Sequence, residues 1–126
     1  MSRFQCRMKE VDRVEILTLI DNYVDILLPD TQVASRPPLA AGTRVPPGTL
    51  LAEHGLSLYI EGESEGEKFS LLFDTGRTGK VVLHNAEALG VDLSRVRLVV
   101  LSHSHYDHTG GLMSMLRPKM RLYTHP

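Results

Sequence analysis

Leu101-Ser-His103-Ser-His105-Tyr-Asp107-His108-Thr-Gly-Gly111 places four side chains able to donate an electron pair to a metal within six positions. Imidazole nitrogens combined with a carboxylate oxygen suit zinc, iron or manganese, whereas calcium and magnesium prefer shells built of oxygen alone. In an extended segment side chains alternate, so His103, His105 and Asp107 are expected on one side, with His108 brought round where the chain turns into its next element. An apolar run precedes the cluster and Thr-Gly-Gly follows it. A chance surface grouping of histidines lacks that setting, and a built site has it.

Working upstream, Val96-Arg-Leu-Val-Val-Leu101 is almost continuously apolar, as a strand covered on both faces of a parallel β-α-β unit would be. The helix of that unit is expected over residues 78–90, where Val82, Ala86 and Leu89 follow helical spacing and Gly90 supplies the stop. Its first strand is Lys68-Phe-Ser-Leu-Leu-Phe73, ending on Asp74-Thr75-Gly76. Asp74 and the His103 to His108 run therefore both stand at strand ends on one edge of a sheet, where they would form a cleft. Asp74 suits two roles there, accepting a hydrogen bond from a ligand imidazole and bracing the motif loop, or serving as an ordinary turn aspartate. Gly110 and Gly111 are expected to let the backbone pass close to the metals. Downstream, Thr109 is placed to cap a short helix containing Leu112, Met113, Met115 and Leu116, and residues 120–124 read as a further strand.

Nearer the start, Val14-Glu-Ile-Leu-Thr-Leu-Ile20 is β-rich, with Val14, Ile16 and Thr18 on one side and Leu17 and Leu19 on the other. Asp21 and Asn22 read as turn residues at its end. Five prolines within residues 28–53 exclude regular elements, and a loop of that length is expected to drape near the cleft. His54 follows this loop directly and is a candidate to line the cleft, while His84 and His125 read as ordinary surface histidines. Residues 56–60 and 68–73 form a hairpin whose tip, residues 61–67, is acidic and solvated.

His103-x-His105-x-Asp107-His108, with Leu71-Leu-Phe-Asp74-Thr-Gly76, resembles the metallo-β-lactamase-fold hydrolase superfamily. Leu17-Thr-Leu-Ile-Asp21-Asn and Ala52-Glu-His54-Gly-Leu-Ser57-Leu resemble its dihydropterin-ribofuranosylaminobenzene-phosphate synthase-like subgroup, in which the Asp21-Asn22 position also lies near the metal cleft. The resemblance implies an α/β fold, the N-terminal half of a four-layered αββα sandwich, with a mixed sheet and helices on one face. It further implies that His103 and His105 bind one metal and Asp107 and His108 a second, the metals being zinc, or iron or manganese. Asp107 would also be catalytic, orienting an attacking water toward an ester, lactone, phosphoester or related bond of a small-molecule substrate. Members of this family carry a second half with two further ligand histidines and a bridging aspartate. Only 18 residues follow His108, and His125 is their sole histidine. Residues 1–126 are therefore expected to form one domain incomplete at its C-terminus, completed by a missing second half or by homo-oligomerisation.

With 14 basic and 15 acidic residues the net charge is −1, so no electrostatic case exists for nucleic acid or an anionic membrane. Cys6 is the only cysteine, and no apolar run approaches the roughly 18 residues of a membrane span. A cytoplasmic location is the expectation. Two other readings compete with the hydrolase. One is a non-catalytic metal-binding or interaction module. In the other, Leu72-Phe-Asp74-Thr75-Gly76 resembles the catalytic turn of an aspartic protease acting as a homodimer, although Arg77 replaces the small residue expected after the glycine and the later hydrophobic-hydrophobic-glycine turn is missing.

Overall fold

Alternating apolar residues in the first half of the chain and a helical repeat between Val82 and Ala86 sort the backbone into strands and one principal helix. The computed structural model describes residues 10–25, 27–37 and 48–124. The elements are β1 (Arg13–Ile20), β2 (Ser57–Ser64), β3 (Glu67–Phe73), α1 (Gly79–Ala88), a 3-10 turn (Leu93–Arg95), β4 (Leu98–Leu101), α2 (Tyr106–Thr109), α3 (Leu112–Met115) and β5 (Arg121–Thr124). Cys6, His125 and residues 38–47 of the proline-rich segment lie outside the described residues. Among the described residues no helix is long and apolar enough to cross a membrane.

The strands form one mixed sheet in the order β1-β2-β3-β4-β5. The first three pair antiparallel, and β4 and β5 continue parallel to β3. The expected hairpin is present, but its tip is shorter than residues 61–67. The strands run on through Ser64 and resume at Glu67, joined by Glu65 and Gly66, both at positive φ (53° and 80°) as a two-residue hairpin turn requires. Glu61 and Glu63 stay in the ladder opposite Ser70 and Lys68, and Lys68 Nζ reaches Glu61 Oε1 at 3.4 Å.

Among the described residues, helices cover one face only. Leu19, Leu72, Val99 and Leu101 join Val82 and Ala86 of α1, with Val96 and Met115, in the buried core. The register places Ile16, Ile60, Leu71 and Leu98 side by side on the opposite face. There Ile16 is 62% exposed and Val14, Phe69 and Tyr123 are exposed as well. The expectation that β4 is covered on both faces is thus corrected. Val99 and Leu101 are buried under the helices, while Leu98 and Val100 are half-buried on the open side.

The described parts of the proline-rich segment have no regular structure, in line with its composition. Residues 29–37 lie along β1, where they line a groove of about 800 Å³ with Leu17, Tyr59 and Leu89. No residue of the His103 to His108 run lines that groove.

Candidate metal centre

Because β3 and β4 are parallel neighbours, the residues following them emerge side by side. Asp74 leaves β3 with φ +58°, its N–H donating to Val100 O at 2.8 Å, and its side chain is completely buried. The carboxylate is fully engaged. Oδ1 accepts from Ser102 N at 2.8 Å, and Oδ2 accepts from Ser102 Oγ and from His108 Nδ1, each at 2.7 Å. Thr75 adds two bonds to His108 O, from N at 2.7 Å and from Oγ1 at 3.0 Å. Of the two roles open to Asp74, the structure shows it bracing the motif loop and fixing an imidazole at once. A carboxylate so occupied has no free edge to share a proton with a symmetry mate, which removes the aspartic-protease arrangement.

The bond to Asp74 sets the tautomer of His108. Nδ1 carries the proton, and Nε2 presents its lone pair 3.4 Å from Asp107 Oδ2. Ser102 extends the same logic. Its hydroxyl donates to Asp74 and so accepts from His103 Nδ1 at 2.8 Å, leaving His103 Nε2 available as a donor of electrons. The His103 ring lies 4.2 Å from that of His108 and 4.6 Å from that of His105, centroid to centroid. All four motif residues are therefore brought together. The extended alternation, however, ends at His105: Asp107 and His108 share the single helical turn α2, whose last residue, Thr109, bonds back to His105 O at 3.0 Å. Thr109 accordingly does not cap α3, which begins after Gly111 without a side-chain cap.

Gly110 and Gly111 make close backbone contacts. A Cβ at Gly110 would stand 2.0 Å from Arg77 O, and one at Gly111 would stand 2.2 Å from Thr75 O. They let the motif loop press against the backbone of residues 75–77, and that contact positions the donors.

His54 does reach the site. Its Nε2 lies 3.5 Å from Asp107 Oδ2 and its Nδ1 lies 2.9 Å from Asn22 Oδ1. The segment carrying it is tied down on both sides. Glu53 accepts from Arg77 N (3.0 Å), Thr78 N (2.8 Å) and Thr78 Oγ1 (2.6 Å), while Leu56 O accepts from Gly76 N at 2.9 Å. His84 instead bonds Thr49 O at 2.9 Å and takes no part in the cluster. Sequence reasoning missed Ser102, Glu53 and the role of Asn22. Position was the signal for Ser102, which sits between a strand end and the first motif histidine; for Asn22 it was the closing of β1 on the same edge together with the subgroup resemblance that sets Asp21-Asn22 near the metal cleft.

The donor chemistry fits a divalent transition ion: imidazole nitrogens with fixed tautomers beside a carboxylate that is itself sheltered, the Asp107 side chain being 15% exposed. Among the described residues no group of three or more His, Cys, Asp or Glu side chains is placed to hold one metal ion; the motif residues contact one another in pairs.

Residues 51–119 match the sequence profile of the metallo-beta-lactamase superfamily. Over 120 residues the chain is 32% identical to a 7,8-dihydropterin-6-methyl-4-(beta-D-ribofuranosyl)-aminobenzene-5'-phosphate synthase of Methanocaldococcus jannaschii, covering 93% of this chain and 34% of that protein. The chain thus spans about a third of that relative's length. Among solved structures it is similar to BJP-1, a subclass B3 metallo-beta-lactamase of Bradyrhizobium japonicum, at 23% identity and a TM-score of 0.43, over 53% of this chain and 25% of that one. It is also similar to the MIM-2 metallo-beta-lactamase, at 29% identity and a TM-score of 0.43, over 59% and 31% of the two chains.

Proposed function

We propose, from the premise that this chain belongs to the metallo-beta-lactamase superfamily, that it carries the metal-binding front part of a hydrolase acting on a small molecule through an ester, lactone, phosphoester or related bond. The observation that carries the reading is the bond from His108 Nδ1 to the wholly buried Asp74, which turns Nε2 outward beside Asp107. A structural histidine at the rim of a sheet needs no such orientation, whereas a ligand histidine does.

In this reading His103 and His105 hold one ion, and Asp107 and His108 a second. Zinc is favoured by the nitrogen-rich set, with iron or manganese as alternatives. A bound divalent ion supplies Lewis acidity and brings the pKa of bound water toward about 7. This chain's own residues do the rest. Asp74 keeps the His108 proton on Nδ1, Ser102 does the same for His103, and Asp107 orients the attacking oxygen through its carboxylate. The further ligands of a closed dinuclear site are expected from a second half of the protein or a second copy.

Purified without a histidine tag, the chain is expected to retain zinc by elemental analysis. His103→Ala/His105→Ala should retain at least tenfold less. Equal and near-zero content in both would overturn the reading. A non-catalytic metal-binding module is the second reading, favoured by the pairwise arrangement of the donors. Metal retention with no phosphodiesterase or lactonase turnover, even after the rest of the protein is supplied, would select it.

A further inference from the structure

We propose that Arg77 is a specificity residue of this site and binds an oxyanion group, phosphoryl or carboxylate, that the substrate carries. The inference rests on the metal-site reading above and names the substrate class that reading leaves open. The Arg77 guanidinium lies over the ring of Tyr106, 5.4 Å from its centroid. Among the described residues no oxygen accepts a hydrogen bond from it and no carboxylate pairs with it. A cation held by a ring face keeps its N–H donors free, in the planar fork that grips an oxyanion through two parallel bonds.

The ring that holds it belongs to the motif. Tyr106 stands between His105 and Asp107 in the chain. Its ring is 6.5 Å, centroid to centroid, from that of His54, whose Nε2 lies 3.5 Å from Asp107 Oδ2. Arg77 and Tyr106 are both exposed, so the guanidinium sits at the rim of the candidate centre, open to a molecule arriving from solvent. Tyr106 is thus a positioning residue for Arg77.

The backbone beneath the side chain is held to that of the motif. Gly55 has φ +141°, and a Cβ there would stand 2.1 Å from Asp107 O and 3.4 Å from Arg77 N, so only glycine lets these three segments meet. On the far side of the Arg77 peptide, its carbonyl oxygen lies against Gly110. Glu53 fixes the same stretch without neutralising the guanidinium. Its Oε1 accepts from the N–H groups of Arg77 and Thr78, and its Oε2 accepts from Thr78 Oγ1. The carboxylate is occupied by backbone and hydroxyl donors, and the positive charge beside the motif is left for a ligand.

The test uses the intact chain loaded with zinc and cleared of free metal, titrated with phenylphosphonate, benzoate and the neutral benzamide, with zinc content measured on the same samples. Wild type should bind an anion more tightly than benzamide. Preference for phenylphosphonate assigns a phosphoryl group, and preference for benzoate a carboxylate. Arg77→Gln should weaken the preferred anion about tenfold or more at unchanged zinc content. Arg77→Lys should weaken it less, since the charge stays and the fork is lost. Tyr106→Leu should also weaken it, whereas Tyr106→Phe, which keeps the ring, should bind as wild type does. If zinc-loaded wild type binds neither anion more tightly than benzamide, or Arg77→Gln binds within twofold of wild type, the proposal fails and the metal site stands. If wild type holds no zinc, the metal site fails and this inference with it. Should Arg77→Gln not fold, Arg77→Lys decides, and an affinity equal to wild type overturns the proposal.

Discussion

Asp74→Asn is expected to weaken metal binding ten- to a hundredfold while costing the metal-free chain only about 1–3 kcal/mol. The asymmetry follows from the three bonds that the carboxylate accepts. An asparagine oxygen in place of Oδ1 still accepts from Ser102 N, and asparagine tolerates the left-handed backbone at φ +58°. The amide nitrogen then replaces Oδ2, where Ser102 Oγ and His108 Nδ1 both donate. Two donors now face a donor. Ser102 can turn its hydroxyl toward His103, but His108 must move its proton to Nε2 for Nδ1 to accept. That closes the atom facing Asp107. Asp74→Ala should differ in kind: it leaves three donors without an acceptor in a completely buried site and forces alanine into a positive φ, for a cost of about 3–5 kcal/mol. Zinc affinity by chelator competition and urea unfolding in EDTA separate the two effects. Asp74→Asn binding within twofold of wild type would show that the Asp74 bond does not serve the metal.

What could be read without coordinates was whatever depends on local period. The switch from strand to helix between Phe73 and Val82, and the apolar run ending at Leu101, placed Asp74 and the motif on one sheet edge before any distance was known. Their meeting through Ser102 lay beyond such reading, because a strand period places strand ends but not the turn of Asp74 at φ +58° that brings its carboxylate to a residue 28 positions on. The hairpin tip was misjudged for a related reason. Alternating Gly and Glu reads as loop, yet Glu61, Gly62 and Glu63 are paired on both sides, with β1 and with β3, and Phe69 packs over Gly62. Asp107 was expected on the extended segment with His103 and His105, because a four-residue helical turn is too short to show a period, whereas His108 was expected where the chain turns. His54 was placed near the cleft from its position after the loop alone. Its closeness to Asp107 depends on Gly55, whose contact is with a residue 52 positions away.

The second large effect expected is on solution mass: at tens of micromolar the purified chain should sediment as a dimer or a larger species, and Val14→Lys/Ile16→Lys should shift it to monomer. The cause is the uncovered side of the sheet. Val14, Ile16 and Phe69 are exposed there beside half-buried Ile60, Leu71 and Leu98, which makes one contiguous apolar surface. The described residues leave these side chains exposed, and a second copy of the chain can cover them. Each buried valine or isoleucine stabilises such a contact by about 1.5–3 kcal/mol, and a two-fold interface loses each residue twice, so two lysines should raise the dissociation constant at least a hundredfold. Both positions lie on the edge strand β1 with their side chains in water, so the fold itself should change by no more than about 0.5 kcal/mol. A wild-type chain that stays monomeric at about 100 micromolar would mean that this face needs no partner.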